Sequence, residues 1–278
     1  EKICDTWQGH SSRLVRSTDL FTFEVAPAFS DSIKNLSPGD DVALYPSNVD
    51  DTVNTVLNML IVQDYSLLDI LRSRLKNDVD LAKPLSLEQL TTLVDMTPNE
   101  QAKVVLNMIV QNASTDQVNP SIERLVLILP PCSVPVEWVW ENGPHMDPRF
   151  YSIADLSPTG RIVSIIQAVY TFKTGQAGTT SRWIRSLNTG DIARAMFSKT
   201  DFHLPESDDS PLLLIATGSG IAPFRSFWTS TAKNPMHLFF GCRDQSELPF
   251  SSEIAQREKQ GRIYPFVAYS RDAEKSMY

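Results

Sequence analysis

The sequence predicts an α+β region followed by an α/β domain: antiparallel strands, a helical block inserted among them, and then parallel strands that alternate with helices. Four observations predict this order. Short strand-like runs bounded by turn residues fill the first 50 residues, a helical pattern extends from about residue 52 to 130, and β-rich runs return near Arg149. From about Asp209 onward, strand-like and helix-like segments alternate, which is typical of a doubly wound parallel sheet.

The opening region has the pattern of a β-barrel or sandwich. Residues Arg13 to Val25 mix apolar and polar side chains in partial alternation and predict a strand. The residues Ser37-Pro38-Gly39-Asp40 predict a turn, and the short apolar run Val42 to Tyr45 predicts a second strand that Pro46 ends. No long helix fits before about residue 50.

The helical block carries periodic leucines and two capping signals. Ser86 to Gln89 and Thr97 to Glu100 both fit the capping box, the second with a proline at the first helical position. Pro120 is expected to open a further helix. One helical face is expected to carry Leu67, Leu68, Leu71 and Leu75. A helical block that interrupts a β-region indicates an insertion.

The last part of the chain predicts a parallel sheet. Arg161 to Phe172 is a long β-rich run, and the continuous apolar run Leu212 to Ala216 predicts a strand buried on both faces. The strand His237 to Phe240, a helix near residues 252–260 and the strand Ile263 to Tyr269 follow. Three strands are too few for a finished domain of this kind, and the first residue is not Met, so we expect a piece of a longer chain.

Composition excludes several function classes. Hydrophobic residues make up 42% and charged residues 21%, an ordinary globular balance, and the net charge of −8 argues against a nucleic-acid binder. No apolar run of about 18 residues occurs, and the N-terminus, Glu1 to Cys4, has no apolar signal-peptide core. The cysteines Cys4, Cys132 and Cys242 have no zinc spacing and no disulfide framework, so we expect no metal site and a reducing, cytoplasmic setting.

Two short strings carry candidate chemistry in the first part of the chain. In Arg149-Phe150-Tyr151-Ser152, the Arg could pair with a diphosphate, the Tyr could lie against a flavin ring, and the Ser could form a hydrogen bond near flavin N5. The run Gly178 to Ser181 opens a predicted helix, where N–H groups and hydroxyls could meet an anion. Taken alone, the first string is more simply an ordinary strand and the second a plain capping turn.

Three further strings follow the strands of the predicted parallel sheet. Thr217 to Phe224 places glycines between a strand and a helix, which favours pyrophosphate binding, although it is not the G-x-G-x-x-G fingerprint because Pro223 breaks it. Gly241-Cys242-Arg243 ends the next strand. Ser270-Arg271, with Lys275 and Tyr278 nearby, suits the 2′-phosphate that distinguishes NADPH from NADH. Taken singly, each Arg is more simply a solvated surface residue.

Together and in order, these motifs resemble the diflavin reductase family, which includes NADPH–cytochrome P-450 reductase and the reductase half of nitric oxide synthase. The resemblance covers nearly the whole chain, and the run Gly220 to Trp228 resembles the nitric oxide synthase reductase in particular. It implies an FAD-binding domain of ferredoxin–NADP-reductase type over residues 1–208. Its β-barrel would comprise residues 1–50 and 145–208, with a helical connecting insert at about 52–140. Residues 209–278 would form the first part of an NADP-binding domain.

The resemblance also implies roles for individual residues. Ser152 would be the side chain nearest flavin N5 and is the candidate catalytic residue. The FAD contacts implied are Arg149, Tyr151, Ser152, Gln167, Ala168, Val169, Phe172, Gly178, Thr179, Thr180 and Ser181. The NADPH contacts implied are Gly218, Ser219, Gly220, Cys242, Arg243, Ser270, Arg271 and Tyr278.

The expected function is hydride transfer from NADPH to FAD, followed by single-electron transfer to FMN in a domain outside this chain and on to a haem-type acceptor. Two alternatives stay open. A single-flavin ferredoxin–NADP reductase is one, although the helical insert argues against it. A degenerate flavin-binding or partner-binding domain is the other. It is favoured by Ala216 where the family's loop has its first Gly, by Lys275 one position before the family's Lys, and by the early C-terminus.

Overall fold

A computed structural model describes residues 6–9, 16–25, 35–113, 119–157, 161–170, 177–205 and 210–271. The chain forms two compact units. The sheet unit comprises residues 1–44, 149–177 and 188–278, and the helical unit comprises residues 45–148 and 178–187. This division groups residues 209–278 with the first antiparallel strands. The domain boundaries expected from the sequence, at about residues 52, 140 and 208, stay a prediction.

The described strands and helices follow the predicted order. The strands are β1 (Thr6–Gly9), β2 (Arg16–Glu24), β3 (Asp41–Tyr45), β4 (Leu60–Ile61), β5 (Val134–Pro135), β6 (Arg149–Leu156), β7 (Ile162–Tyr170), β8 (Arg194–Ser198), β9 (Leu212–Thr217), β10 (Met236–Cys242) and β11 (Ile263–Tyr269). The helices are α1 (Asp50–Leu57), α2 (Leu68–Asn77), α3 (Leu87–Met96), α4 (Glu100–Asn112), α5 (Ile122–Leu125), α6 (Val136–Asn142), α7 (Thr179–Ser186), α8 (Ala222–Thr229) and α9 (Ser251–Lys259). None of the helices described is long and apolar enough to cross a membrane.

An antiparallel sheet with the order β1-β2-β7-β6-β3-β8 forms the first part of the sheet unit. Strand β2 pairs with β7, and β6 pairs with both β7 and β3, in each case antiparallel. The register between β6 and β7 shifts between Ile153 and Asp155, which marks a β-bulge. The predicted antiparallel sheet is therefore confirmed, and so is the parallel sheet that follows it.

The helical unit packs around a leucine-rich core. Leu71 and Leu75 are buried on the inner face of α2, as predicted, because residues four apart share a helical face. The prediction for Leu67 is wrong: this residue lies in a 3₁₀ turn before α2 and is 44% exposed. The helix expected after Pro120 is confirmed as the single turn α5.

The two capping predictions have different outcomes. Ser86 and Gln89 form the predicted capping box at the start of α3, each side chain bonding the other residue's backbone N–H. The second box is wrong, because α4 begins at Glu100 and its cap is Asn99. Thr97 instead ends α3, and its backbone N–H closes the last turn of that helix.

The second sheet has the order β11-β10-β9, and both of its strand pairs are parallel. One prediction for β9 is wrong. Leu214 and Ala216 are buried beneath the apolar cluster of α8 and α9, but Leu213 and Ile215 are 64% and 68% exposed. Alternation places these two pairs on opposite faces of the strand, and the second face is left largely open in the described part of the chain.

Candidate functional site

The carboxyl edge of the parallel sheet gathers the candidate residues of the last third of the chain. Because the three strands run in one direction, their ends meet at one edge. The Ser270 backbone N–H donates to the Cys242 carbonyl, and the Arg271 N–H donates to the Arg243 carbonyl, each at 2.9 Å. The predicted groups at 218–220, Cys242–Arg243 and Ser270–Arg271 therefore lie together.

The glycine loop leaves β9 as a 3₁₀ turn over Gly218–Ile221 and runs directly into α8. Gly218 has a φ of +54°, a left-handed backbone conformation that costs free energy in residues other than glycine. A Cβ built on Gly218 or Gly220 would meet no atom within 4 Å, so open space lies beside both glycines. The loop can thus present backbone N–H groups to an anion without a side chain in the way.

The two arginines at this edge differ in their surroundings. Arg243 is mostly buried, and its Nη1 lies 3.7 Å from a carboxylate oxygen of Glu247, one helical turn further along the chain. Arg271 and its neighbour Ser270 are exposed. Arg271 is therefore the more accessible cation for a phosphate, whereas Arg243 would share its charge with Glu247.

Cys242 sits beside these residues as a neutral thiol. Burial raises the pKa of Cys242 to about 11, and the negative charges of Glu247 and Asp244 act in the same direction. A raised pKa means that the thiol stays protonated until the pH approaches 11, so a nucleophilic thiolate is not available at neutral pH.

We expect iodoacetamide to label Cys242 at least about tenfold more slowly than the exposed Cys132 at pH 8, because only the thiolate reacts. The measurement is the alkylation rate of each peptide by mass spectrometry in a Cys4→Ser chain. Raising the pH toward 11 should bring the alkylation rates of Cys242 and Cys132 closer together. Equal rates at pH 8 would contradict the burial of Cys242.

Strand β6 and strand β7 bring three of the predicted residues together. Arg149 and Tyr151 are two residues apart and share one side of β6. The Gln167 Nε2 donates to the Tyr151 Oη at 3.1 Å. Burial raises the pKa of the Tyr151 phenol, and the Gln167 hydrogen bond and the charge of Arg149 oppose this rise. The phenol is therefore a neutral group held in place by its cross-strand neighbour.

Other predicted residues of this region are placed differently or not at all. Ser152 alternates to the other side of β6 from Tyr151 and pairs in register with Asp41. Ala168 is half-buried in β7. Val169 belongs to the same strand, whereas Phe172 and Tyr278 lie outside the described residues.

The turn at the start of α7 contains two threonines with different roles. Gly178 precedes the helix, and the Thr179 Oγ1 donates to the buried carboxylate of Asp80 at 2.9 Å. The Thr180 Oγ1 is buried but has no hydrogen-bond partner within the residues that the structure describes. Ser181 is half-buried one position further on. Asp80 was not predicted from the sequence, since it lies 99 residues before Thr179 and belongs to no motif.

A buried hydroxyl without a partner is costly unless a ligand or water satisfies it. Thr180 therefore fits an anion bound at this helix start, where the backbone N–H groups are also directed. Thr179 does not offer the same hydrogen, because it is already donated to Asp80.

Comparisons with known proteins agree with this arrangement. Residues 214–278 match the family described as the oxidoreductase NAD-binding domain. The chain is 29% identical to nitric oxide synthase of Drosophila melanogaster over 84% of the chain and 21% of that protein. It is 26% identical to NADPH-dependent diflavin oxidoreductase 1 of Debaryomyces hansenii over 88% of the chain and 48% of that protein. It is also 26% identical to bifunctional cytochrome P450/NADPH–P450 reductase 2 of Bacillus subtilis over 86% of the chain and 26% of that protein.

The parallel sheet and the family match together identify residues 214–278 as part of a nicotinamide-dinucleotide-binding domain of the kind found in oxidoreductases. The motifs and the similarity to these three relatives extend over most of the chain. They indicate a narrower group of proteins than the oxidoreductases as a whole. The chain is similar over most of its length to members of the diflavin reductase family. It spans less than half the length of each of these three relatives.

Proposed function

We propose that this chain binds FAD and NADPH and transfers a hydride from NADPH to the flavin. The observation that carries the proposal is the meeting of the glycine loop, Cys242–Arg243 and Ser270–Arg271 at one sheet edge. This edge belongs to the same compact unit as β6 and β7, where Tyr151 and Gln167 are bonded. When bound, FAD supplies the electron-accepting chemistry, and the protein supplies binding and orientation.

In this proposal, NADPH lies along the carboxyl edge of the parallel sheet. The backbone N–H groups of Gly218, Ser219 and Gly220 face its diphosphate. Ser270 and Arg271 bind the 2′-phosphate, because a guanidinium can donate two parallel hydrogen bonds to phosphate oxygens. Arg243 is a further contact, and the neutral thiol of Cys242 lies beside it.

In the sheet unit, Arg149 of β6 would bind an FAD phosphate. In the helical unit, the turn at Gly178 is the candidate for a diphosphate, and the unpartnered Thr180 hydroxyl supports an anion there. Tyr151 packs against the flavin ring, with Gln167 holding its phenol. Ser152 stays our candidate for the hydrogen bond near N5. In this proposal the antiparallel sheet closes into the family's β-barrel, and the helical block is its connecting insert.

The partners of the whole protein follow from the same proposal. We place an FMN-binding domain outside this chain as the acceptor of single electrons and a haem-type protein after it, in a cytoplasmic setting. The names of the relatives support the kind of partner, since they include a nitric oxide synthase and a fused cytochrome P450–reductase. A single-flavin reductase is disfavoured, because the helical unit is a compact unit of its own.

Two observations favour a second candidate, a flavin-binding domain that no longer uses NADPH. The Arg243 guanidinium already faces Glu247, and Ala216 stands where the family's loop begins with glycine. Both features would weaken the dinucleotide site without affecting the flavin groups on β6 and β7. Such a domain would bind FAD but leave it oxidised when NADPH is added.

Flavin binding is tested by titrating the purified, flavin-free chain with FAD and with FMN. We expect FAD to bind and its fluorescence to change, and FMN to bind much more weakly, because FMN lacks the AMP half and the diphosphate that the α7 turn would bind. A folded chain that binds neither flavin would contradict the proposal. Equal affinity for FAD and FMN would contradict the proposed role of the α7 turn in binding the diphosphate.

The two threonines of α7 should respond in opposite ways to replacement by valine. Thr180→Val removes a buried, unpartnered hydroxyl, so stability should stay equal or rise while the affinity for FAD falls about tenfold. Thr179→Val takes a donor from the buried Asp80, so the unfolding free energy should fall by about 1–3 kcal/mol. Urea unfolding and FAD titration of both variants provide the measurements. A fall in stability with unchanged FAD affinity in Thr180→Val would contradict this assignment.

A further inference from the structure

Arg225 is a largely buried cation of the sheet unit. It lies in the first turns of α8, directly after the glycine loop. Its side chain is only 11% exposed, and a buried guanidinium is tolerated only where partners satisfy its charge and its hydrogens. Its partners therefore show which elements it holds together.

On one side, Arg225 reaches strand β6 of the antiparallel sheet. Its Nη1 donates to the Ala154 carbonyl at 3.3 Å and lies 3.3 Å from a carboxylate oxygen of Asp155. This contact falls at the β-bulge of β6, where the register with β7 shifts between Ile153 and Asp155. A bulge redirects side chains locally, and this one places Asp155 within reach of Arg225.

On the other side, Arg225 is held by α9. Its Nη2 and Nε both donate to one carboxylate oxygen of Glu253, at 3.1 and 3.2 Å. The second oxygen of Glu253 accepts from the Trp228 indole at 2.6 Å, so the carboxylate is fixed from two directions. The Arg225 guanidinium also lies over the Phe250 ring, 4.7 Å from its centroid.

The segments that this guanidinium joins are those that carry the two proposed cofactor sites. Tyr151 and Ser152 lie on β6 a few residues before Ala154 and Asp155. The glycine loop ends where α8, the helix of Arg225, begins. A displacement between β6 and α8 would therefore change the separation between the flavin groups and the dinucleotide loop. Hydride transfer depends steeply on that separation.

We infer that Arg225 is a positioning residue that fixes the dinucleotide loop relative to the flavin-binding strand, an inference that rests on the proposed function. Arg225 itself contacts neither cofactor in this account. Replacing Arg225 should leave the residues proposed to contact each cofactor intact, while the alignment of the two cofactor sites is lost. The expected signature is a slow hydride transfer with nearly normal binding, which a merely structural residue would not produce.

The test compares Arg225→Met and Arg225→Lys with the control Arg161→Met in the FAD-loaded chain. Arg161 is an exposed arginine of the same unit, and its ion-pair partner is Glu24 of β2 rather than a residue of β6, α8 or α9. We expect Arg225→Met to lower the limiting rate of flavin reduction by NADPH at least about tenfold. Its FAD content and its dissociation constant for NADP⁺ should stay within about threefold of the parent chain. Arg225→Lys should recover part of the limiting rate, and Arg161→Met should have the same limiting rate as the parent chain.

Two results would overturn the inference. One is a limiting rate in Arg225→Met equal to that of Arg161→Met. The other is a parallel loss of FAD, NADP⁺ binding and thermal stability that Arg225→Lys does not repair, which would make the residue purely structural. If the parent chain itself shows no reduction by NADPH, the proposed function fails instead. Hydrogen exchange then tests the role of Arg225 without NADPH. Arg225→Met should raise amide exchange in β6 and α9 together, and a change confined to α8 would show that Arg225 does not hold these elements together.

Discussion

Replacing Gly39 with alanine should destabilise the sheet unit by at least about 3 kcal/mol, enough to prevent stable folding of many domains. Gly39 precedes β3 and has a φ of +104°. A Cβ at this position would lie 1.8 Å from the Phe202 carbonyl oxygen and 3.3 Å from the Phe227 ring. The Phe202 oxygen is backbone, and the Thr200 hydroxyl ties the same segment to the Gly39 carbonyl, so the segment cannot simply move away.

Gly190 provides a matched control for this substitution. It has a φ of +98°, close to that of Gly39, but a Cβ there would meet no atom within 4 Å. Gly190→Ala should therefore cost only the left-handed backbone strain, about 1–2 kcal/mol. Urea unfolding followed by tryptophan fluorescence measures both variants. Equal midpoints for the two would contradict the steric argument at Gly39.

Replacing Arg271 with alanine should lower kcat/KM for NADPH about 10- to 100-fold, because a charge-assisted contact to phosphate contributes about 1.5–3 kcal/mol. The value for NADH should hardly change, since NADH lacks the 2′-phosphate. Arg271 is exposed and follows β11 at the carboxyl edge, next to the backbone of Arg243. The preference for NADPH would then fall while the hydride step itself stays intact.

Lys259 provides the control for Arg271. It is an exposed cation at the end of α9, just before β11 begins, and so belongs to the opposite edge of the parallel sheet. Lys259→Ala should leave the kinetics with both dinucleotides unchanged. If Arg271→Ala lowered the rates with NADPH and NADH equally, Arg271 would have a role in folding or catalysis rather than in 2′-phosphate recognition.

Local sequence signals predicted much of the fold, and the failures arise where tertiary context decides. Ser86 was predicted as a cap because its partner, Gln89, is three residues away. Thr97 was predicted as the cap of the next helix, but Thr97 already ends α3, and Asn99 caps α4 instead. The apolar run of β9 predicted burial on both faces, but a sequence pattern does not show whether a neighbouring element covers each face.

The same distinction holds for the candidate site. The gathering of residues at the carboxyl edge was predictable, because parallel strands bring their ends together. The contacts that distinguish individual residues were not predictable from the sequence. Thr179 bonds Asp80 across 99 residues, and Arg225 bonds Ala154 across 71, so no local pattern links either pair. Only the structure separates Thr179, which is already bonded, from its unpartnered neighbour Thr180.

We propose above all that this chain passes a hydride from NADPH to bound FAD. The most direct measurement loads the chain with FAD, removes oxygen, and follows the blue absorbance band of the oxidised flavin after NADPH is added, with NADH as the control. Rapid bleaching by NADPH, with NADH much slower, is the predicted result. An FAD-loaded, folded chain whose flavin stays oxidised with NADPH but bleaches with dithionite would contradict the claim.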